Sequence, residues 1–333
     1  MAETAETQPL NEYNIAAVIP AYRVERTIGA VVAALPAYVR HVIVVNDASP
    51  DQTAQAIDLA ARSDPRVLAI THDRNQGVGG AVLSGFRRAL ELGAQIVVKI
   101  DGDGQAPVER LADLVAPLIQ GQADAAKGNR FRDFVALRQM PLIRRLGNTM
   151  LSFLAKAATG YWEVFDPTNG FVALRSEVLS RMPLERIDRS YFFEISLLGH
   201  LYQQGAVVRD VETPARYGDE ISNLSIAKVL LEFPPRLLLM FLRRIVLKYA
   251  IYDFSMGSVY LIAGLPLLAF GLIFGSVKWA QYSQLGLPAP TGTVMLATVT
   301  VILGVQLLLS AAGVDLQSVP TEPLTRPLRP SPP

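Results

Sequence analysis

Two stretches of this 333-residue chain, 254–277 and 279–314, contain no Asp, Glu, Lys or Arg. A helix needs roughly 20 apolar residues to cross the hydrocarbon of a bilayer, and each stretch can supply them. The pattern predicts two spanning helices, about 257–277 and 293–313, with a turn over 284–292 that holds Pro288 and Pro290. The alternative is a helical hairpin buried in a soluble core, but a core helix rarely stays uncharged for so long. Arg243, Arg244 and Lys248 precede the first stretch, Arg326 and Arg329 follow the second, and only Lys278 lies between. The positive-inside rule then puts both chain ends in the cytoplasm. A multi-pass protein of the inner, cytoplasmic membrane is expected.

The remaining sequence divides around that hairpin. Residues 1–13 are polar and acidic, lack the basic and apolar regions of a secretory signal, and are expected to be flexible. Residues 14–222 carry charges throughout and form the candidate catalytic domain. Over 223–253, Leu, Phe, Ile and Val mix with Lys228, Glu232, Arg236, Arg243, Arg244 and Lys248. That mixture predicts amphipathic helices at a membrane surface, broken at Pro234-Pro235. The hairpin occupies 254–314, and the proline-rich tail 315–333 is expected to be disordered. A net charge of +1 argues against a nucleic-acid partner. The absence of cysteine excludes disulfides, thiolate metal sites and cysteine nucleophiles.

Within 14–222, short continuous apolar runs alternate with helical patterns. Strands are expected at Ile15–Ile19, His41–Val45, Val67–Thr71 and Gln95–Ile100, and helices at Thr27–Ala34, Thr53–Ala61 and Val78–Leu92. Such alternation implies an α/β fold with a mostly parallel sheet covered on both faces, and ligands in such sheets bind at the carboxyl ends of strands. Beyond Ala125 the pattern is less regular. It yields helices at Leu142–Ala158 and Phe192–Gln203 and strands at Phe171–Leu174 and Val207–Val211.

Polar residues gather where the expected strands end. Asp101-Gly102-Asp103 follows the fourth strand, with Gln105 two residues on; two carboxylates and an amide oxygen on a tight turn suit Mg²⁺ or Mn²⁺. Taken alone, these residues favour an ordinary acidic turn at a strand end. Asp47 after the second strand can accept hydrogen bonds from a base or ribose, or serve as a helix cap. The glycines at 77, 79 and 80 precede a helix without P-loop or dinucleotide spacing, which favours a plain loop-to-helix junction. Arg130, Arg144, Arg145 and Arg216 are phosphate-binding candidates, with solvated surface arginines as the ordinary alternative. His41, His72 and His200 show no metal or triad spacing.

Taken in order, these residues resemble glycosyltransferase family 2, and within it the polyprenyl-phosphate sugar synthases of the dolichyl-phosphate mannose synthase type. The carrying motifs are Pro20-Ala21-Tyr22-Arg23-Val24-Glu25, Val45-Asn46-Asp47-Ala48-Ser49-Pro50-Asp51-Gln52-Thr53, Asn75-Gln76-Gly77-Val78-Gly79-Gly80-Ala81, Asp101-Gly102-Asp103-Gly104-Gln105, Gly128-Asn129-Arg130, Asp166-Pro167-Thr168-Asn169-Gly170-Phe171 and Arg216-Tyr217-Gly218-Asp219-Glu220-Ile221-Ser222. The resemblance spans about residues 14–316. It implies a Rossmann-like GT-A fold, with Pro20, Ala21, Tyr22, Glu25, Asp47 and Asp101 at a GDP- or UDP-linked sugar. It implies metal at Asp101, Asp103 and Gln105, and catalytic roles for Asp101, Asp103, Arg130 and Arg216. Acceptor-phosphate contacts fall to Arg130, Arg144 and Asn148; Asp166, Asn169 and Glu194 are candidates at the sugar, Glu194 touching its hydroxyls or acting as a base, with a helix-surface carboxylate as its ordinary alternative. Asn46 stands where the family has the first Asp of a pair, and Arg23-Val24 replaces Asn-Glu. Both departures touch the nucleotide side.

The expected function is inverting transfer of a sugar to a polyprenyl phosphate, undecaprenyl or dolichyl, at the cytoplasmic membrane face. Homo-oligomers through the membrane helices are a further implication. A saccharide or other lipid acceptor, or a non-catalytic membrane scaffold, are the alternatives. A processive synthase would bring more spans and a Q-x-x-R-W motif, and neither is present.

Overall fold

The computed structural model describes residues 10–130, 142–214 and 226–331. The chain divides into two compact units, Met1–Met240 with Pro320–Pro333, and Phe241–Val319. In the first unit, β1 (Ile15–Ala21), β2 (Val39–Asn46), β3 (Val67–Thr71) and β4 (Ile96–Lys99) are parallel, as their continuous apolar runs imply. Every residue of β1 and β4 is buried. Full burial of a Val, Ile or Leu contributes about 1.5–3 kcal/mol each. Three further strands, β5 (Ala125–Asn129), β6 (Val172–Arg175) and β7 (Val208–Glu212), extend the sheet in the order β3-β2-β1-β4-β6-β5-β7. Only β6 runs antiparallel to its neighbours. The mostly parallel α/β sheet expected of the sequence is therefore the one observed.

Helices α1 (Ile28–Ala33), α2 (Thr53–Ser63) and α4 (Leu111–Ile119) bury Ile28, Val32, Ile57, Leu111 and Leu114 in one core cluster with Ile15, Ala17 and Ile19 of β1. Between α2 and α4, α3 (Val78–Glu91) packs on β1 and β2. Later come α5 (Leu142–Thr159), a short α6 (Ser176–Ser180) and α7 (Phe193–Gln204), whose Phe193 ring lies 6.2 Å from Phe86 of α3.

The juxtamembrane stretch departs from the expectation. Helix α8 (Ile226–Val246) runs unbroken through Pro234 and Pro235, then widens into a π-helical segment, Leu247–Tyr252. Two prolines remove two backbone donors. Packing on either side offsets that loss: Phe233 is 5% and Leu237 3% exposed, and Phe233 meets Phe192 edge to face at 5.2 Å.

In the second unit, α9 (Met256–Leu285) and α10 (Thr291–Gln317) form an antiparallel hairpin, each longer than its apolar pattern suggested. A capping box at Ser255 and Ser258 starts α9, and Gly286 in the left-handed conformation ends it. Close packing depends on glycine: a Cβ on Gly271 would stand 2.6 Å from Thr300 Oγ1, and one on Gly304 2.6 Å from the Leu268 nitrogen. Both helices are long and apolar enough to cross a membrane, and only 22% and 17% of their most apolar windows are buried. A helical pair buried in a soluble core would show the opposite. Arg244 holds Asp315 through two hydrogen bonds of 2.7 and 2.8 Å, and both residues are buried within this unit.

The tail, expected to be disordered, lies along the first unit instead. Asp124, fully buried just before β5, accepts the Leu324 and Thr325 amides at 2.9 and 3.0 Å and the Thr325 hydroxyl at 2.8 Å. Arg175 donates to the Arg326 carbonyl at 3.0 Å, the Leu328 amide to Ile119 at 2.8 Å, and Gln95 to the Arg329 carbonyl at 3.0 Å. Asp124 and Gln95 mark the starts of β5 and β4, so the tail follows the amino edge of the parallel strands. Composition predicts disorder from low apolar content; a buried carboxylate that needs donors is invisible to it.

Candidate active site

The opposite, carboxyl edge of the sheet collects the predicted polar residues. Pro20 and Ala21 end β1 inside the core, and Tyr22, 38% exposed, begins the loop beyond. Arg23 and Ala48 both adopt positive φ, 55° and 52°, a conformation that costs non-glycine residues energy and clusters at functional sites. The two loops are tied together: the Arg23 amide donates to Ser49 Oγ at 2.8 Å, the Val24 amide to Thr53 Oγ1 at 3.0 Å, and the Gln52 amide to Glu25 Oε2 at 2.9 Å. Beside them is a cavity of about 420 Å³ lined by Arg23, Val24, Glu25, Arg26, Pro50 and Asp51.

Asp47 sits at the end of β2 but is 2% exposed. Its Oδ1 accepts the Gln76 amide at 2.8 Å and meets His72 Nδ1 at 2.7 Å, and its Oδ2 accepts the Gly77 amide at 2.8 Å. The far nitrogen of His72 meets Ser84 Oγ at 2.9 Å. These three side chains lie in the order of a hydrolytic triad, which no sequence spacing announced. They brace the segment after β3, and the carboxylate is already engaged by protein donors. The glycines of that segment serve close backbone approach: a Cβ on Gly77 or Gly79 would fall 2.4 Å from the Arg189 or Asp188 carbonyl oxygen. A loop-to-helix junction, rather than a phosphate cradle, accounts for them.

The acidic turn follows β4. Asp101, Asp103 and Gln105 are all partly exposed, and the Gln105 amide donates to Asp103 Oδ1 at 3.0 Å. Beneath them Lys99, 1% exposed, donates to Asp101 Oδ1 at 2.7 Å and to Glu194 Oε1 at 2.8 Å. Glu194 opens α7 and is 9% exposed, at the end of a helix that favours negative charge. A second lysine, Lys127 of β5, donates to the Asn169 carbonyl. Lys99 and Lys127 are both register partners of Val172 in β6, so the two ammonium groups stand in one row across the sheet. Their environments act in opposite directions. Burial alone would lower Lys99, but the carboxylates of Asp101 and Glu194 raise it above the ordinary lysine value. For Lys127 burial prevails, because its contact is a carbonyl and the nearby carboxylates lie farther off; it is lowered to about 8. The sequence reading included neither lysine. For Lys99 the only signal was a lysine at the end of the apolar run Ile96–Lys99; Lys127, in Ala-Ala-Lys-Gly-Asn, gave none.

Arg130, just past β5, forks onto the fully buried Asp166 at 2.7 and 3.2 Å. Asn169 donates to the Gly128 carbonyl at 2.8 Å and accepts the Phe171 amide at 3.0 Å. Asp166 and Asn169, expected at the sugar, are thus engaged with Arg130 and with the ends of β5 and β6. The backbones of Arg144 and Asn148 lie on α5, but their side chains fall outside the described residues, as does Arg216.

Two carboxylates and an amide oxygen on one exposed turn fit a hard divalent cation. Among the described residues no three acidic or histidine side chains form a ready-made cage. A cation here would draw further oxygens from substrate phosphate or water.

A mostly parallel sheet with an acidic turn at its carboxyl edge defines an α/β architecture with its ligand site at the strand ends. Residues 16–182, half of the chain, match the family described as glycosyl transferase family 2, and the chain belongs to that family. A UDP-N-acetylglucosamine–dolichyl-phosphate N-acetylglucosaminyltransferase of Methanococcus voltae is 34% identical over 175 residues, 49% of this chain and 69% of that protein. A polyprenol monophosphomannose synthase of Mycolicibacterium smegmatis is 31% identical over 191 residues, covering 56% and 69%. Glucosyl-3-phosphoglycerate synthase of Mycobacterium tuberculosis, solved with Mn²⁺, UDP and glucosyl-3-phosphoglycerate, superposes with a TM-score of 0.54 at 19% identity, over 73% of this chain and 85% of that one. At that identity the match speaks for the fold.

Proposed function

We propose that this chain transfers a sugar from a nucleoside diphosphate to a polyprenyl phosphate at the cytoplasmic face of a membrane, with inversion at the anomeric carbon. The observation that carries the reading is the Asp101–Asp103 turn at the sheet's carboxyl edge, beside the tied loops after β1 and β2, in a chain that also holds two helices fit to span a bilayer. The names of both curated relatives support a polyprenyl-type phosphate acceptor.

The residues divide the task. The Tyr22 and Asp47 loops form the nucleotide side. Asp101, Asp103 and Gln105 would hold Mg²⁺ or Mn²⁺, and a bound divalent cation supplies charge neutralisation to a departing nucleoside diphosphate. Asp166 fixes the guanidinium of Arg130, which can then meet an acceptor phosphate in one orientation; Arg144 and Asn148 are assigned to the same phosphate and Arg216 to the diphosphate. A phosphate monoester is largely a dianion at pH 7, its second pKa being about 6. The nucleophile therefore needs no proton removed, and the protein's work is alignment and charge stabilisation. Glu194 is left to contact sugar hydroxyls.

The test is a donor screen: purified full chain, undecaprenyl phosphate, a divalent metal and a panel of UDP- and GDP-sugars, with lipid products identified by mass and anomeric configuration. A polyprenyl phosphosugar of inverted configuration is expected. Transfer only to saccharides, or retained configuration, would reject the corresponding part of the proposal.

A further inference from the structure

Resting on that reading, we propose that Lys99 is a positioning residue, clamping Asp101 and Glu194 into one preset pair so that the cation-side and sugar-side carboxylates are held in fixed relation before substrate arrives. Lys99 ends β4, and its ammonium reaches both carboxylates, at 2.7 and 2.8 Å. The two belong to distant parts of the chain: Asp101 follows the same strand, while Glu194 begins α7 on the far side of the sheet sequence. No other contact described links those two carboxylates.

The position opposite is shaped for this pair. A Cβ on Gly170 would lie 1.9 Å from Asp101 Oδ2 and 2.4 Å from Lys99 Nζ. Only glycine leaves room for the carboxylate where the ammonium draws it. Gly170 belongs to the loop whose neighbours Asp166 and Asn169 hold Arg130 and the end of β5. Lys99 thus stands where three loops of the site converge.

Two physical roles for a buried lysine here lead to opposite results. If Lys99 merely offsets buried negative charge, its positive field competes with a cation at Asp101. Its removal should then leave Mn²⁺ binding unchanged or tighten it. If Lys99 positions, its removal lets Asp101 leave its preset orientation, and the lost preorganisation weakens binding despite the gain in negative field.

The experiment uses the full chain in detergent and measures UDP binding by calorimetry with and without Mn²⁺. It compares wild type with Lys99→Met, Gly170→Ala, Asp103→Asn and Glu194→Gln. The expected result is a loss of at least tenfold in Mn²⁺-dependent UDP affinity for Lys99→Met, with metal-free UDP binding and the far-UV spectrum unchanged. Gly170→Ala, which keeps every charge and displaces the carboxylate, should reproduce the loss and stands in if Lys99→Met does not fold. In turnover, the effects of Lys99→Met and Glu194→Gln on kcat should be non-additive, because one acts through the other. Unchanged or tighter Mn²⁺·UDP binding in Lys99→Met or Gly170→Ala, or additive kcat effects, overturns the proposal. If Asp103→Asn also leaves Mn²⁺-dependent binding intact, the metal assignment itself fails; if Asp103→Asn abolishes it while Lys99→Met does not, only the positioning role fails.

Discussion

Lys127 shows how one buried side chain carries a pH signature. Its folded pKa, lowered to about 8, lies below the ordinary 10.5. Between those values the unfolded chain binds a proton that the folded chain does not, so stability rises with pH across that window. Below pH 8 the lysine is charged in both states, and the cost of burying the charge is fully present. The difference in stability between wild type and Lys127→Met should therefore change by about 3 kcal/mol between pH 7 and pH 10.5, in the wild type's favour as pH rises. Chemical denaturation at several pH values reads it; a flat difference would mean that Lys127 keeps its proton. At the same scale, Asp101, Asp103, Gln105 and Arg130 could be selected as candidates from motif order. Lys99 and Lys127 could not, because a lysine in a buried strand is costly until its partners are known, and those partners come from α7 and from the loop before β6.

Among the elements, β1 to β4 were legible within a residue or two because each is a continuous apolar run. β5 was not: Ala-Ala-Lys-Gly-Asn has little strand propensity. It is held as a strand by pairing with β6 and β7 on both sides. The tail is the second such case. Thr325→Val removes one donor to the buried Asp124 and should cost the first unit about 1–3 kcal/mol. A lower melting temperature and faster proteolysis of the tail after Val319 would register it, and equal melting of both proteins would contradict it. In the second unit, Arg244→Ala takes from Asp315 its two-hydrogen-bond partner and leaves it the Tyr249 hydroxyl and the Lys248 ammonium. The expected loss is about 3–5 kcal/mol, with much less for the double change Arg244→Ala, Asp315→Ala. A double-mutant cycle of unfolding in detergent checks both figures.

For the molecule as a whole, the exposed apolar faces of α9 and α10 set the solvent. Leu265, Phe270, Leu272, Ile273, Leu303 and Leu309 are each at least 47% exposed, a run that water tolerates poorly. The chain should remain with membranes through an alkaline carbonate wash and be released by detergent; release by carbonate alone would remove the spanning assignment. The proposed cytoplasmic orientation predicts that protease added to inverted membrane vesicles cuts the first unit while protease added to intact spheroplasts does not; the reverse pattern would overturn that orientation.

Hydrophobic pattern and local spacing are properties of the sequence by itself. They determined the parallel first half of the sheet, the apolar hairpin, and those family motifs that, among the described residues, end up along one sheet edge, because each depends on neighbours within a few residues or on continuous runs. Tertiary structure decided whatever depends on a distant partner: that β5 is a strand, that α8 survives its prolines, that Asp47 is taken up by the Gln76–Gly77 backbone, that Asp166 and Asn169 hold protein groups, and that the tail lies under the amino edge. A buried charge or orphaned donor has no stable position until its complement arrives from elsewhere in the chain, and only the folded arrangement brings the two together.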